Sequence, residues 1–130
     1  SSHDRDSLLL YRGKKCYVLM NLYPYNNGHL MVIPYKHTSD IDIDPETSAE
    51  LWELLCRCKR ALMGVMNPDG FNVGMNLGRT AGAGIDQHIH MHIVPRWNGD
   101  TNFMPVVGET KVISQALSST YDALLPHFSN

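Results

Sequence analysis

Residues 87–97 read Gln-His-Ile-His-Met-His-Ile-Val-Pro-Arg-Trp and hold the side chains best suited to chemistry. His88, His90 and His92 alternate with Ile89, Met91 and Ile93, a period of two that predicts a strand. Side chains alternate across a strand, so the three imidazoles share one face and the three apolar side chains the other. Pro95 has no N–H for a sheet ladder and suits the strand's end, with Arg96 and Trp97 just beyond it.

Three readings compete for such a face. Histidine is the commonest metal ligand, and neighbouring imidazoles can chelate one ion. Steps of two residues rise by about 6.6 Å, however, so His88 and His92 start roughly 13 Å apart, and bonds of about 2 Å can hardly close all three on one metal. A zinc site would need two of them and a ligand from elsewhere. An inert polar sheet face is the plainest alternative, although histidine has no special strand preference. The third reading is phosphoryl or nucleotidyl transfer: one imidazole attacks phosphorus, its neighbours fix its tautomer, and the cluster holds a phosphate while titrating near neutral pH. Spacing alone leaves all three open.

The elements that must position this face follow from local patterns. Lys15 to Met20 reads as a strand, Asn21 to Gly28 is rich in turn residues, and His29 to Pro34 is a second strand, together an antiparallel hairpin with a long loop. His29 on its own would be a structural histidine, and Asn21 a strand-ending turn residue. Asp44-Pro45 predicts a helix start, with Asp as the cap and Pro at the first position. Leu51, Leu55, Cys58, Leu62 and Val65 then recur at helical spacing until Asn67-Pro68-Asp69-Gly70 stops them. His37, Asp40 and Asp42, before that helix, read as a solvated loop.

Phe71 to Asn76 predicts a third strand. The small-residue run from Gly78 to Gly84 follows, and could bring backbone N–H groups against an anion. It lacks the Gly-Lys-Ser/Thr ending of a Walker loop. Leu8 to Tyr11 forms an apolar cluster closed by Gly13, Thr101 to Val107 a short strand or pocket lip, and Val112 to Leu125 a closing helix.

Composition bounds the rest. One α+β domain spanning residues 1–130 is expected, long enough for a single core. Hydrophobic residues at 43% and charged ones at 18% argue against disorder, and a net charge of −2 gives no basic footprint for polymeric nucleic acid. No apolar run approaches the roughly 20 residues that span a bilayer, and no secretory signal is visible, so no membrane partner is expected. Cys16, Cys56 and Cys58 make no disulfide framework and read as reduced thiols of a cytoplasmic protein.

His-Ile-His-Met-His-Ile-Val resembles the signature of the histidine triad (HIT) family, and Asn-Gly-His-Leu-Met-Val-Ile-Pro at 27–34 looks like that family's other landmark strand. The resemblance covers about residues 14 to 105. With Pro-Arg after the triad, Asn-Leu-Tyr-Pro-Tyr-Asn and Pro-Arg-Trp-Asn-Gly-Asp-Thr-Asn-Phe, it is closest to the fragile-histidine-triad branch of diadenosine polyphosphate hydrolases and phosphorylases.

The resemblance implies a HIT-like antiparallel sheet of about five strands with one long helix and a C-terminal helix, assembled as a homodimer. It implies cleavage of a dinucleoside polyphosphate at the α-phosphate through a nucleotidyl-histidine, with water or inorganic phosphate as acceptor. His90 would be the nucleophile, one of its nitrogens bonded to the backbone carbonyl of His88. His92 would stabilise phosphoryl charge or protonate the leaving group, and His29 would buttress the triad.

Asn21 and Leu22 would bind an AMP-type nucleotide at the nucleoside, and Asn76, Gly82, Ala83 and Gly84 at the phosphate. No tightly bound cofactor or metal is implied, only a divalent cation such as Mg2+ accompanying the substrate. Adenosine phosphoramidate hydrolysis, or nucleotide binding with weak turnover, are the alternatives. The chain departs from the pattern at Ala83-Gly84-Ile85, where many relatives carry Ser, Thr or Gln. Help to the leaving group must then come from backbone amides, Arg79, Thr80 or His92.

Overall fold

A computed structural model describes residues 2–22, 28–78, 81, 88–100 and 115–129. Five strands form one antiparallel sheet: β1 (Leu9–Arg12), β2 (Cys16–Met20), β3 (Leu30–Pro34), β4 (Gly70–Gly74) and β5 (Met91–Arg96), in the spatial order β1-β2-β3-β5-β4. Helix α1 (Ser2–Ser7) precedes the sheet, α2 (Pro45–Met66) crosses from β3 to β4, and α3 (Gln115–Leu124) follows β5 and runs into a 3-10 turn at Leu125–Phe128. The chain is therefore α+β.

Period-two burial decides which face is core. Cys16, Val18 and Met20 on β2, Leu30 and Val32 on β3, and Ile93 on β5 are all buried in one cluster with Leu51, Leu54, Leu55, Cys58, Ala61 and Leu62 of α2. Tyr17, Leu19 and Met31 alternate with them and take the other face, where Met31 stands opposite His92. Burial of α2 along one sheet face thus turns the histidine side outward.

Local chemistry fixes the ends of α2. Asp44 is extended and its carboxylate accepts the Thr47 N–H at 3.0 Å, Pro45 opens the helix, and Asn67 closes it in the left-handed region at φ 48°. The helix is pinned to the sheet by Glu50, whose Oε2 accepts the Lys15 and Cys16 N–H groups at 2.5 and 2.6 Å. No side chain fits at Gly13 in that turn, because a Cβ there would lie 2.7 Å from the Cys16 backbone carbonyl oxygen and 2.8 Å from Glu50 Oε2. Tyr121 of α3 donates to the Leu9 carbonyl at 2.6 Å and closes the far edge of the sheet.

Several boundaries differ from expectation. Leu8 to Tyr11, read as an apolar cluster, contributes strand β1, and α1 had no counterpart. The triad segment joins the ladder only from Met91, so His88 and His90 lie in extended chain before β5. The third strand ends at Gly74 rather than Asn76, and the closing helix is described from Gln115. Thr101 to Val107 lies outside the described residues.

Removing the Glu50 carboxylate strands two backbone N–H groups at the hairpin turn. Glu50→Ala should cost about 1–3 kcal/mol in denaturant unfolding; an unchanged midpoint would show that water replaces the carboxylate at no cost.

Candidate active site

Five imidazoles form one continuous row. Ring centroids are 5.0 Å apart for His37 and His88, 6.1 Å for His88 and His90, 6.0 Å for His90 and His92, and 5.0 Å for His92 and His29. The spacing along the triad matches the two-residue rise of extended chain, so the three histidines do share a face. Two of their three apolar partners, Ile89 and Ile93, are buried and Met91 is partly buried against the core, while His88, His90 and His92 stay half-exposed.

Each end of the row is fixed by a different element. His92 is the triad member inside the ladder, opposite Met31 on β3 and Gly74 on β4. At its side, His29 is 1% exposed and its Nε2 lies 2.8 Å from His92 Nδ1; Asn21 Nδ2 lies 3.0 Å from His29 Nδ1. A polar ring this deeply buried needs partners for both nitrogens, and the hairpin loop and β5 supply one each. At the other end, His88 Nε2–H donates to the Pro34 carbonyl at 2.6 Å, and the Ile89 N–H donates to the Thr38 carbonyl at 2.9 Å. The end of β3 and the residues after it therefore hold His88 in place of a sheet ladder.

His90 occupies the centre. The hydrogen bond expected from its ring to the His88 carbonyl is not formed among the described residues; the ring instead stacks on His92, with the His88 ring tilted by 49° on its other side. Beside the row, Gly74 leaves space among the described residues, since a Cβ built there would meet nothing within 4 Å. A flat or anionic group can approach His92 and His90 from this side.

Burial tunes the row's charge. Desolvation, helped by the neighbouring His92, lowers the His29 pKa from 6.5 to about 4. Desolvation also lowers His90, with His88 adding to it, and His92, with His90 adding to it. At neutral pH these rings are uncharged and carry a lone pair, the state that a nitrogen nucleophile needs.

The remaining candidate positions divide cleanly. Leu22 is 39% exposed at the start of the hairpin loop. Asn76 is exposed two residues beyond Gly74, on the His90 side because β4 and β5 are antiparallel. Gly82, Ala83 and Gly84 lie outside the described residues, as do Arg79 and Thr80. His37, read from sequence as part of a solvated loop, instead stands edge-on to His88. No local pattern signals that contact, because it joins segments far apart in the chain.

The HIT domain family matches residues 2–99. This chain belongs to the HIT family. An AP-4-A phosphorylase from Mycobacterium tuberculosis is 48% identical over 118 residues, which are 90% of this chain and 60% of that protein. The HIT chain described here thus spans less than two thirds of that relative. A bis(5'-nucleosyl)-tetraphosphatase (asymmetrical) from Schizosaccharomyces pombe is 30% identical over 95 residues, 72% of this chain and 52% of that protein. Among solved structures, a zinc-bound histidine triad family protein from Mycobacterium smegmatis superposes with a TM-score of 0.75 at 29% identity, covering 98% of this chain and 87% of that one.

A tetrahedral zinc site needs three or four donors converging at about 2 Å. Among the described residues no three His, Cys, Asp or Glu side chains converge in this way. His37 and His88 touch, but His88 has already given one nitrogen to the Pro34 carbonyl.

The lowered His29 pKa makes stability depend on pH. As pH falls below 6.5 the unfolded chain gains a proton at His29, while the folded chain resists until about 4. The stabilisation is complete above 6.5 and is lost as pH drops towards 4, by an amount of the order of 3 kcal/mol. Denaturation midpoints should therefore fall between about pH 7.5 and pH 4.5, and fall less in His29→Gln; equal slopes for the two proteins would contradict this origin.

Proposed function

We propose that this chain cleaves dinucleoside polyphosphates of the diadenosine tri- or tetraphosphate type at the α-phosphate. The observation that carries the reading is the row itself: three imidazoles in line on one sheet face, the last of them hydrogen-bonded to a buried fourth. A ring nitrogen of His90 donates its lone pair to the α-phosphorus, and the bond from phosphorus to the bridging oxygen breaks with its electron pair on the leaving polyphosphate. His92 stabilises charge on the phosphoryl oxygens or protonates the leaving oxygen, help worth about 100-fold or more. An acceptor oxygen then attacks phosphorus, the phosphorus–nitrogen bond breaks, and the lone pair returns to His90.

The family implies the partners. Asn21 and Leu22 hold the nucleoside, and Asn76 with Gly82, Ala83 and Gly84 holds the phosphate. A divalent cation such as Mg2+ arrives with the polyphosphate, and the chain itself holds no cofactor tightly. Inorganic phosphate is favoured over water as acceptor by the 48% identity to an enzyme named as a phosphorylase. Three free cysteines suit a reducing compartment, the cytoplasm. Among the described residues no helix is long and apolar enough to cross a membrane.

A homodimer is also part of the proposal. Among the described residues strand β4 is hydrogen-bonded only to β5, and Val73 on it is 51% exposed. Such an edge is a template for pairing with a second copy. Val73→Lys should shift the sedimentation profile towards monomer; an unchanged dimer would place the interface elsewhere, and monomeric wild-type protein would remove it.

Two measurements test the reaction. Product analysis on diadenosine tetraphosphate with and without inorganic phosphate should give ADP only with phosphate; AMP in its absence would make water the acceptor. His90→Ala should abolish turnover while nucleotide binding persists, and near-normal rates would remove the mechanism. Faster cleavage of adenosine phosphoramidate would reassign the substrate, and AMP binding without turnover would make the chain a binding protein.

A further inference from the structure

Asn21 touches the catalytic row from behind. We propose that it is a positioning residue, which fixes the proton positions of His29 and, through it, of His92, so that His92 turns an N–H towards the reacting phosphate. The inference rests on the reaction proposed above and assigns to Asn21 a role besides any contact with ribose.

The direction of the relay follows from the bonding groups. Asn21 Nδ2 has only N–H groups to give, so at 3.0 Å it donates to a lone pair on His29 Nδ1. A neutral imidazole with a lone pair at Nδ1 carries its proton at Nε2. That Nε2–H lies 2.8 Å from His92 Nδ1, which must accept in its turn. The proton of neutral His92 is thereby placed on its own Nε2, at the opposite edge of the ring. His29 is 1% exposed, so its two ring nitrogens are held by these partners away from bulk water.

Burial also keeps His29 from taking a second proton near neutral pH. The other titratable rings in the row are His90, His88 and His37, all beyond His92 from His29.

The consequence is a sharper role for His92. A neutral ring that donates from Nε2 can stabilise charge on phosphoryl oxygens, yet it has no spare proton to surrender, because Asn21 cannot replenish one. His92 then acts as a hydrogen-bond donor and not as an acid. A leaving polyphosphate needs no acid above about pH 6, where a terminal phosphate has lost its second proton. A carboxamide offers two N–H groups and two carbonyl lone pairs, so the relay and a ribose contact are compatible.

Asn21→Asp reverses the relay. A carboxylate only accepts, so with both rings neutral His29 must carry its proton at Nδ1 and accept at Nε2 a hydrogen bond from His92 Nδ1–H, which leaves His92 Nε2 with a lone pair facing the phosphate. As pH falls and His29 gains its second proton, it donates from both nitrogens and the original direction returns.

Long-range proton–nitrogen NMR on the full chain with nitrogen-15 histidine reads these states directly. Wild-type protein at about pH 8 should show His29 and His92 both protonated at Nε2, and Asn21→Asp at about pH 9 should show both at Nδ1. A proton at Nδ1 of His92 in the wild type, or unchanged tautomers in the variant, overturns the proposal. This readout requires no turnover, so its failure is distinct from failure of the proposed reaction.

With diadenosine tetraphosphate, kcat of Asn21→Asp should fall roughly 100-fold or more at about pH 9 and recover as pH falls, the scale on which a wrong histidine tautomer disables catalysis. A loss equal at every pH, or one that disappears with a 2'-deoxy substrate, makes Asn21 a ribose contact alone and overturns the relay.

Discussion

A buried imidazole with both nitrogens bonded is the constraint on which the site depends. Burying an unpaired polar group costs several kcal/mol, so His29 is tolerable only while Asn21 and His92 stay within bonding distance. Those two residues lie at the end of β2 and inside β5, and the pair of bonds ties the hairpin to the triad strand. A slip of one residue in that strand would put Ile93 where His92 now bonds, strand the His29 ring and push an isoleucine out of the core. Hydrophobic burial and polar satisfaction thus choose the same register.

Everything else holds that register. Helix α2 covers the apolar face through Leu51, Leu54, Leu55, Cys58, Ala61 and Leu62, and the Glu50 carboxylate anchors it to the turn that opens β2. The helix packs on the face opposite the histidines, and among the described residues Gly74 leaves space beside His92. At the far end, backbone carbonyls of Pro34 and Thr38 hold His88 and Ile89 where no ladder reaches them. His90 is left in the middle, stacked on His92 and tilted against His88, with a pKa lowered by burial, an arrangement suited to a neutral nucleophile.

How much of this was legible in the sequence depended on the range of the cause. Helix α2 was readable to the residue because Asp44, Pro45 and Asn67 act within one turn of its ends. The shared face of His88, His90 and His92 was readable because period-two alternation belongs to extended chain whether or not a ladder forms. Its start was misread for the same reason: Ile89 bonds to a loop carbonyl, and alternation cannot tell a loop from a strand. Strand β1 hid within the unbroken run Leu8, Leu9 and Leu10, which has no period. Helix α1 is six residues long with no apolar stripe, and it is held by Arg5 to Asp122 and Arg12 to Asp4, contacts made with distant segments. The pairing of His37 with His88 was invisible on the same account.

The fold and the family follow from sheet order, register and similarity; the chemistry turns on whether His90 bonds to phosphorus. Rapid acid-free quenching of the chain with diadenosine tetraphosphate labelled at the α-phosphate, followed by peptide mass spectrometry, tests that bond most directly. The account predicts an adenylyl group on the peptide containing residues 88–92, fragmenting to His90. The group should be absent from His90→Ala, whatever the acceptor that finally releases it. An adenylyl group on another residue, or turnover in which no covalent species accumulates even when phosphate is withheld, would contradict it.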